Sequence, residues 1–321
     1  MVWKYAPAVI GVIIAVVAVY LLHDAVAAIH LSEVVDALAA TPVETVLLAI
    51  LATGISYAAL AFYDVIAVWA VAPGKVSFPV AAGAGAAGYA ISNALGFPLL
   101  TGGSVRYRIY AAEGLSNGDI GRVFATSWIA LWLGFALVVA VALIVDPHTL
   151  AAISGIPASV GRSVGVVTLL AFAGIVVWLS TGDRIFNLWG ITSPLPSGKL
   201  AIFQVITGVI DIAGAGATLW ILLPPDALPG IAPFAILFVA AIVLGIVGHT
   251  PGGIGVFEAT IITGLYLQGR ADVVACLLVF RAVYTVLPFV LAVGGFALWE
   301  IWRKRHLVGA LGRWTRQRNT R

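Results

Sequence analysis

Apolar positions fill this chain in long runs separated by short polar breaks. Runs at 6–22, 44–72, 122–145, 163–180, 200–223, 231–249 and 271–300 approach or exceed the ~20 residues that carry a helix across a bilayer. Two more stretches, 78–104 and 251–268, are apolar but broken. The first is rich in Gly and Ala (AAGAGAAGYA, 81–90) and is then interrupted by Ser92, Asn93, Gly96, Pro98, Gly102 and Gly103. The second follows Thr250 and opens with Pro251, Gly252, Gly253, Ile254 and Gly255. A membrane β-barrel would instead show alternating segments of ~10 residues. The pattern predicts an all-α, polytopic integral membrane bundle of about eight transmembrane helices plus re-entrant or broken helices.

Composition sharpens this picture. The chain is 62% hydrophobic and 10% charged, with a mean hydropathy of +1.09, against about 25% charged residues in soluble domains. The start imitates a secretion signal, with Lys4, an apolar run to Leu22 and Ala-Val-Ala at 25–27. The many runs that follow make it a first span. Residues 303–321 hold seven Lys/Arg and no acid. They read as a basic cytoplasmic tail after a membrane domain covering 1–302, drawn to anionic lipid rather than to nucleic acid. Lys4, Lys75, Arg106, Arg108, Arg122, Arg184 and Lys199 join that tail on the cytoplasmic side if 78–104 enters and returns while 251–268 crosses. The acidic loop 23–45 then lies outside, with 31–39 as a short amphipathic surface helix. The lone cysteine, Cys276, lies in an apolar run and reads as packing.

The two broken stretches resemble each other. LLTGGSVRYR (99–108) and HTPGGIGVFE (249–258) each place a Gly-Gly bend at a polar step, one in each half of the chain. Paired interruptions of this kind point to a transporter site built from a structural repeat. Gly102, Gly103, Pro251, Gly252 and Gly253 are the expected hinge positions, with Thr250 as a cap for the second helix entry. Ser116, followed by Asp119 and flanked by Leu115 and Ile120, is a helix-start signal with no chemistry of its own.

Ionisable side chains inside spans cost roughly 2.5–3.5 kcal/mol each and are functional candidates by default. Asp64, Asp211, Glu258 and Arg281 are in this class. Either Arg281 neutralises one carboxylate and ties helices together, or the carboxylates meet a cationic headgroup or a proton. Arg106 and Arg108 sit two residues apart, so on a helix one faces inward and the other outward. An arginine fork there, with Asn93, Tyr110 and the Gly102–Ser104 turn nearby, suits a phosphate; positive-inside anchoring is the plainer use of the same residues. No nucleotide-binding, Ser-hydrolase or zinc-protease motif appears, and the five histidines lack metal-ligand spacing. No cofactor or metal is expected.

SNALGFPLLTGGSVRYRIYAAEGLSNGDIGRV (92–123) and HTPGGIGVFE (249–258) resemble the transmembrane region of the bacterial MprF family, lysylphosphatidylglycerol synthases and flippases. The resemblance covers most of the chain, but only the flippase-type module. No region is polar enough for the family's aminoacyl-transfer domain. The resemblance therefore implies lipid translocation rather than an enzyme. The expected protein is a multi-pass bacterial inner-membrane flippase for an aminoacyl phospholipid such as lysylphosphatidylglycerol; either a separate synthase supplies that lipid, or the substrate is another phospholipid such as anionic phosphatidylglycerol. Asp64, Arg106, Arg108, Asp211 and Glu258 are the site residues it implies. An ion-coupled solute transporter, a lipid-modifying membrane enzyme and a synthase partner remain alternatives, and homo-oligomerisation stays open.

Overall fold

The computed structural model describes residues 31–148, 151, 155–182, 185–188, 191–248 and 250–299. The expected first span (6–22) and basic tail (303–321) lie outside them. The described residues form an α-helical membrane bundle, as the hydrophobic pattern predicts. Its helices are α1 (Leu31–Ala40), α2 (Val43–Val71), α3 (Phe78–Leu95), α4 (Thr101–Ala112), α5 (Asn117–Val145), α6 (Ala158–Ser180), α7 (Gly198–Leu222), α8 (Ile231–Val247), α9 (Val256–Gly264) and α10, which starts at Ala271, passes through a π turn at Arg281–Val286 and runs on to Trp299. One small antiparallel hairpin, β1 (Ile185–Leu188) with β2 (Ile191–Pro194), links α6 to α7.

Among the described residues, α2, α5, α6, α7 and α10 are long and apolar enough to cross a membrane. α3 and α4 form a re-entrant hairpin. Lys75, just before α3, bonds Asp119 at the start of α5 (3.4 Å), so entry and return share one end of the bundle. The tip turns where Gly96 (φ 74°) and Phe97 (φ 49°) both take left-handed backbone, and the Thr101 hydroxyl donates to the Gly96 carbonyl at 2.8 Å. Asn93, near this tip, donates to the Tyr57 hydroxyl (3.2 Å), halfway along α2.

The stretch 231–268 departs from the expected pair of crossings. α8 has 17 residues and α9 only nine, about 14 Å of helix, too short for a ~30 Å hydrocarbon core. Arg270, after α9, pairs with Asp226, before α8. These hydrogen bonds hold the Asp226 carboxyl below the usual carboxylate range. Thus α8 and α9 are a second re-entrant hairpin, entering from the opposite end. Replacing two crossings by a hairpin leaves the other described segments on the side charge assigned to them. Lys75, Arg108, Arg122 and Lys199 stay at one end; α1 and Arg270 stay at the other.

Close packing comes from small residues. An added Cβ on Gly214 of α7 would sit 2.9 Å from the Ser56 nitrogen of α2, and one on Gly134 of α5 would sit 2.9 Å from Gly208 of α7. Backbones approach this closely in membranes, where dispersion and hydrogen bonds replace hydrophobic drive. Ser116 caps α5 by accepting from the Asp119 amide at 3.1 Å. The Asp119 carboxylate answers the Ser116 hydroxyl (2.9 Å) and Arg122 rather than the backbone. Leu115 and Ile120 are buried in the same cluster.

The opposed-hairpin topology predicts that Tyr107→Cys and Pro225→Cys, each on a Cys276→Ala background, react with a membrane-impermeant thiol reagent from opposite faces of the membrane. Labelling of both from one face contradicts it.

Candidate functional site

The first buried cluster forms where α4 folds back between α2, α3 and α5. Asp64 is completely buried. Its carboxylate accepts from Arg106 Nε (3.0 and 2.8 Å to the two oxygens), from the Tyr110 hydroxyl (2.7 Å) and from the Ser127 hydroxyl (3.1 Å). The Arg106 guanidinium lies over the Tyr89 ring, 4.3 Å from its centre. Room for it exists because residue 88 is Gly: a Cβ there would be 2.6 Å from Arg106 Nη1. Gly102 serves the same fit, since its absent Cβ would strike Ser92 Oγ and the Gly88 carbonyl. Two buried donors of this cluster, Arg106 Nη2 and Ser92 Oγ, have no partner.

The second cluster surrounds Asp211, in the middle of α7 and 4% exposed. It accepts from the Ser56 hydroxyl (2.6 Å) and the Tyr63 hydroxyl (3.1 Å), both on α2. Ser56 Oγ also lies 3.0 Å from the Tyr284 hydroxyl on α10, and Tyr57 donates to the Tyr284 carbonyl at 3.1 Å. Among the described residues no cation pairs with Asp211.

The third cluster belongs to the second hairpin. Arg281 Nε bonds Glu258 at 2.6 Å, and its Nη1 donates to the Gly252 carbonyl. Glu258 also accepts from the Gly255 amide (2.8 Å), capping α9. The helix entry is therefore at Gly255, not at Thr250 as the sequence reading has it. The Thr250 hydroxyl and Arg281 Nη2 have no partner. Gly252 (φ 61°) sits against the other hairpin: a Cβ on it would lie 3.0 Å from the Ala94 carbonyl and 3.1 Å from that of Asn93. The tips of the two broken stretches touch.

The expected positions fall into place unevenly. Asp64, Arg106 and Tyr110 form one cluster, Glu258, Arg281 and Gly252 another, and Asp211 stands apart with hydroxyls. Asn93 bridges toward the Asp211 network through Tyr57. Arg106 is buried and Arg108 exposed, the divergence expected of i, i+2. Gly102 and Gly103 lie in the first turn of α4, whereas the bend itself is at 96–100. Pro251 and Gly253 lie in the 3₁₀ turn at the second tip. A count of one deep arginine for three deep carboxylates is corrected to two, because Arg106 is as deep as Asp64. Ser56, Tyr57, Tyr63, Tyr89, Ser127 and Tyr284 were not singled out. For Ser56, Tyr57 and Tyr63 the signal available was a hydroxyl every few residues along otherwise apolar α2.

Among the described residues a groove of about 670 Å³ lies between α2, α3 and α10. Its wall is apolar and made largely of small residues, among them Gly54, Gly83, Ala87 and Gly295, with Leu291 and Phe296. Its polar contacts are Thr53 and Tyr57, so it meets the buried network at mid-depth. Neither Arg106, Arg108 nor the three carboxylates line it.

Compared with known families, the chain matches no family model. Over 261 residues it is 30% identical to "Uncharacterized protein slr0712" of Synechocystis sp. (strain ATCC 27184 / PCC 6803 / Kazusa), covering 78% of this chain and 79% of that one. The chain belongs to the family of slr0712. It is also 28% identical over 205 residues to "Inner membrane protein YbhN" of Escherichia coli (strain K12), a match covering 63% of this chain and 64% of YbhN. The span shared with slr0712 is long enough to include most of the bundle.

Removing one partner of a buried ion pair typically costs about 3–5 kcal/mol. Arg106→Ala should therefore lower thermal stability in detergent sharply, and further than Arg108→Ala on the exposed face of the same helix. Likewise Gly102→Ala should destabilise far more than Gly103→Ala, whose Cβ would meet only ordinary contacts. Equal melting temperatures within either pair would contradict the packing described.

Proposed function

We propose that this protein is an inner-membrane lipid translocator that moves a phospholipid between leaflets. The observation that carries this reading is the apolar groove between membrane-spanning helices, which ends at Tyr57 on a buried polar layer and which a lipid would enter from the side. Its volume falls within the ~300–1,000 Å³ of small-ligand sites. Acyl chains lie in the groove while the headgroup passes the polar layer where the hairpin tips meet. Opposed re-entrant hairpins with a polar contact at mid-depth follow the logic of transporters built from repeats. The resemblance to the MprF flippase module and the membrane setting named for YbhN support the same reading.

An embedded lipid-modifying enzyme would need a nucleophile beside a carboxylate. Ser56 and Ser127 do stand beside carboxylates, but both are 0% exposed. Each is spent on a hydrogen bond, and neither lines the groove.

The polar layer also speaks to the headgroup. It holds Asp64, Asp211 and Glu258 against Arg106 and Arg281, leaving one carboxylate without an arginine. The unpartnered Arg106 Nη2 and Ser92 Oγ offer donors to a phosphate. Asp211 offers an acceptor to an amine. A cationic aminoacyl phosphatidylglycerol satisfies both.

Vesicles reconstituted with the protein should transfer fluorescent lysylphosphatidylglycerol several-fold faster than fluorescent phosphatidylglycerol, read by quencher protection. Equal rates would overturn the headgroup assignment. No transfer above protein-free vesicles, for either lipid, would overturn translocation.

A further inference from the structure

The three deep carboxylates are not equivalent: Asp64 and Asp211 are buried and Glu258 is half-buried. Asp64 and Glu258 are each locked to an arginine. Asp211 is held by hydroxyls alone, on a helix that crosses the whole bundle. The titratable groups that face it are Tyr57 and Tyr63 of α2, Tyr89 of α3 and Tyr284 of α10. On the α5 side Ala130 and Gly134 pack against Gly208, bringing no charge. The Asp64–Arg106 pair lies beyond the Tyr63 and Tyr89 rings, whose centres are 5.7 Å apart. A carboxylate at this depth is tolerated with a counter-cation or with a proton.

Building on the translocator reading, we propose that Asp211 is an exchange site for a proton and the headgroup amine, which couples lipid movement to the proton gradient. The occupants are mutually exclusive because both use the same carboxylate oxygens. A proton from water on one side binds an Asp211 oxygen when the amine leaves. It returns to water on the other side when the next amine displaces it. Only O–H bonds form and break, and each exchange moves one positive charge for another.

The hydrogen-bond chain gives this exchange a mechanical output. With Asp211 ionised, Ser56 donates to it and Tyr284 donates to Ser56. With Asp211 protonated, the carboxyl donates to Ser56, whose hydroxyl then turns toward Tyr284. The Tyr284 hydroxyl must in turn point elsewhere. Tyr284 lies in the π turn Arg281–Val286, a form of helix common at functional sites. The first residue of that turn, Arg281, holds the tip of the second hairpin through Glu258 and Gly252. The protonation state of α7 is thereby passed to the contact between the hairpin tips.

Two measurements test this. In infrared difference spectra of the detergent-solubilised full chain between about pH 5 and about pH 9, the parent should show a protonated-carboxyl band that vanishes in Asp211→Asn. This readout needs no lipid, so it stands or falls apart from the translocator reading. In proteoliposomes, an imposed pH gradient should change the rate of lysylphosphatidylglycerol transfer several-fold in the parent. The change should be absent in Asp211→Asn and reduced in Tyr284→Phe, which keeps the ring and loses only the hydroxyl. A band that persists in Asp211→Asn overturns the inference, as does a full pH-gradient response in Tyr284→Phe. A band lost as expected, with no lipid moved by the parent, keeps the proton site and removes the translocator reading.

Discussion

The structure depends on one constraint: among the described residues no charge at mid-membrane depth is left without an answering group, and the Asp64–Arg106 pair is its most buried expression. Water is not available there to solvate either ion. Arg106 reaches Asp64 only because α4 turns back into the bundle, and α4 turns back only if Gly88 and Gly102 leave space for it. Tyr110 and Ser127 fill two more acceptor positions on the carboxylate, and Tyr89 covers the guanidinium face. Four helices, α2, α3, α4 and α5, are thus committed to one geometry. Each hydrogen bond to a charged group is worth about 1.5–3 kcal/mol, more than a neutral one. Breaking the pair strands an ion.

The second hairpin repeats the device with the roles rearranged. The re-entrant helix supplies the acid, Glu258, and the following span supplies the arginine, Arg281. In both, an aromatic ring lies under the guanidinium: Tyr89 at 4.3 Å and Phe257 at 5.2 Å. Both hairpins leave one buried guanidinium nitrogen and one hydroxyl unpartnered near their tips. Between them runs a layer of neutral hydroxyls centred on Asp211. The result is a bundle anchored by two rigid ion pairs, with a softer hydrogen-bonded seam between them. Hydroxyls can reverse donor and acceptor roles when the carboxyl gains a proton, and an ion pair cannot.

Much of this was legible in the sequence. Local pattern and spacing located the spans α2, α5, α6, α7 and α10, the surface helix at 31–39, the Ser116 cap, the likeness of the two broken stretches and the divergence of Arg106 from Arg108. Each of those signals acts over a few residues. The misreading of 231–268 has the same root. An apolar run of 17 residues looks like a span until the helix after it proves too short to complete a crossing. Long-range partners were out of reach. Asp64 and Arg106 are 42 positions apart, and Ser56 and Asp211 are 155 apart, with nothing in the local pattern to pair them. Tyr284 was hidden because a π turn leaves no periodic mark in a run that is apolar on every side.

The central claim is that lipid passes along the groove between α2, α3 and α10. The most direct test fills that groove. Gly83→Cys, on the Cys276→Ala background, places a thiol on the groove wall, where a Cβ meets no neighbouring atom. Val167→Cys places one on the lipid-facing side of α6, at a position 64% exposed. After labelling with a bulky maleimide, lipid transfer in proteoliposomes should stop in the first protein and continue at the unlabelled rate in the second. Undiminished transfer with the groove blocked would contradict the account.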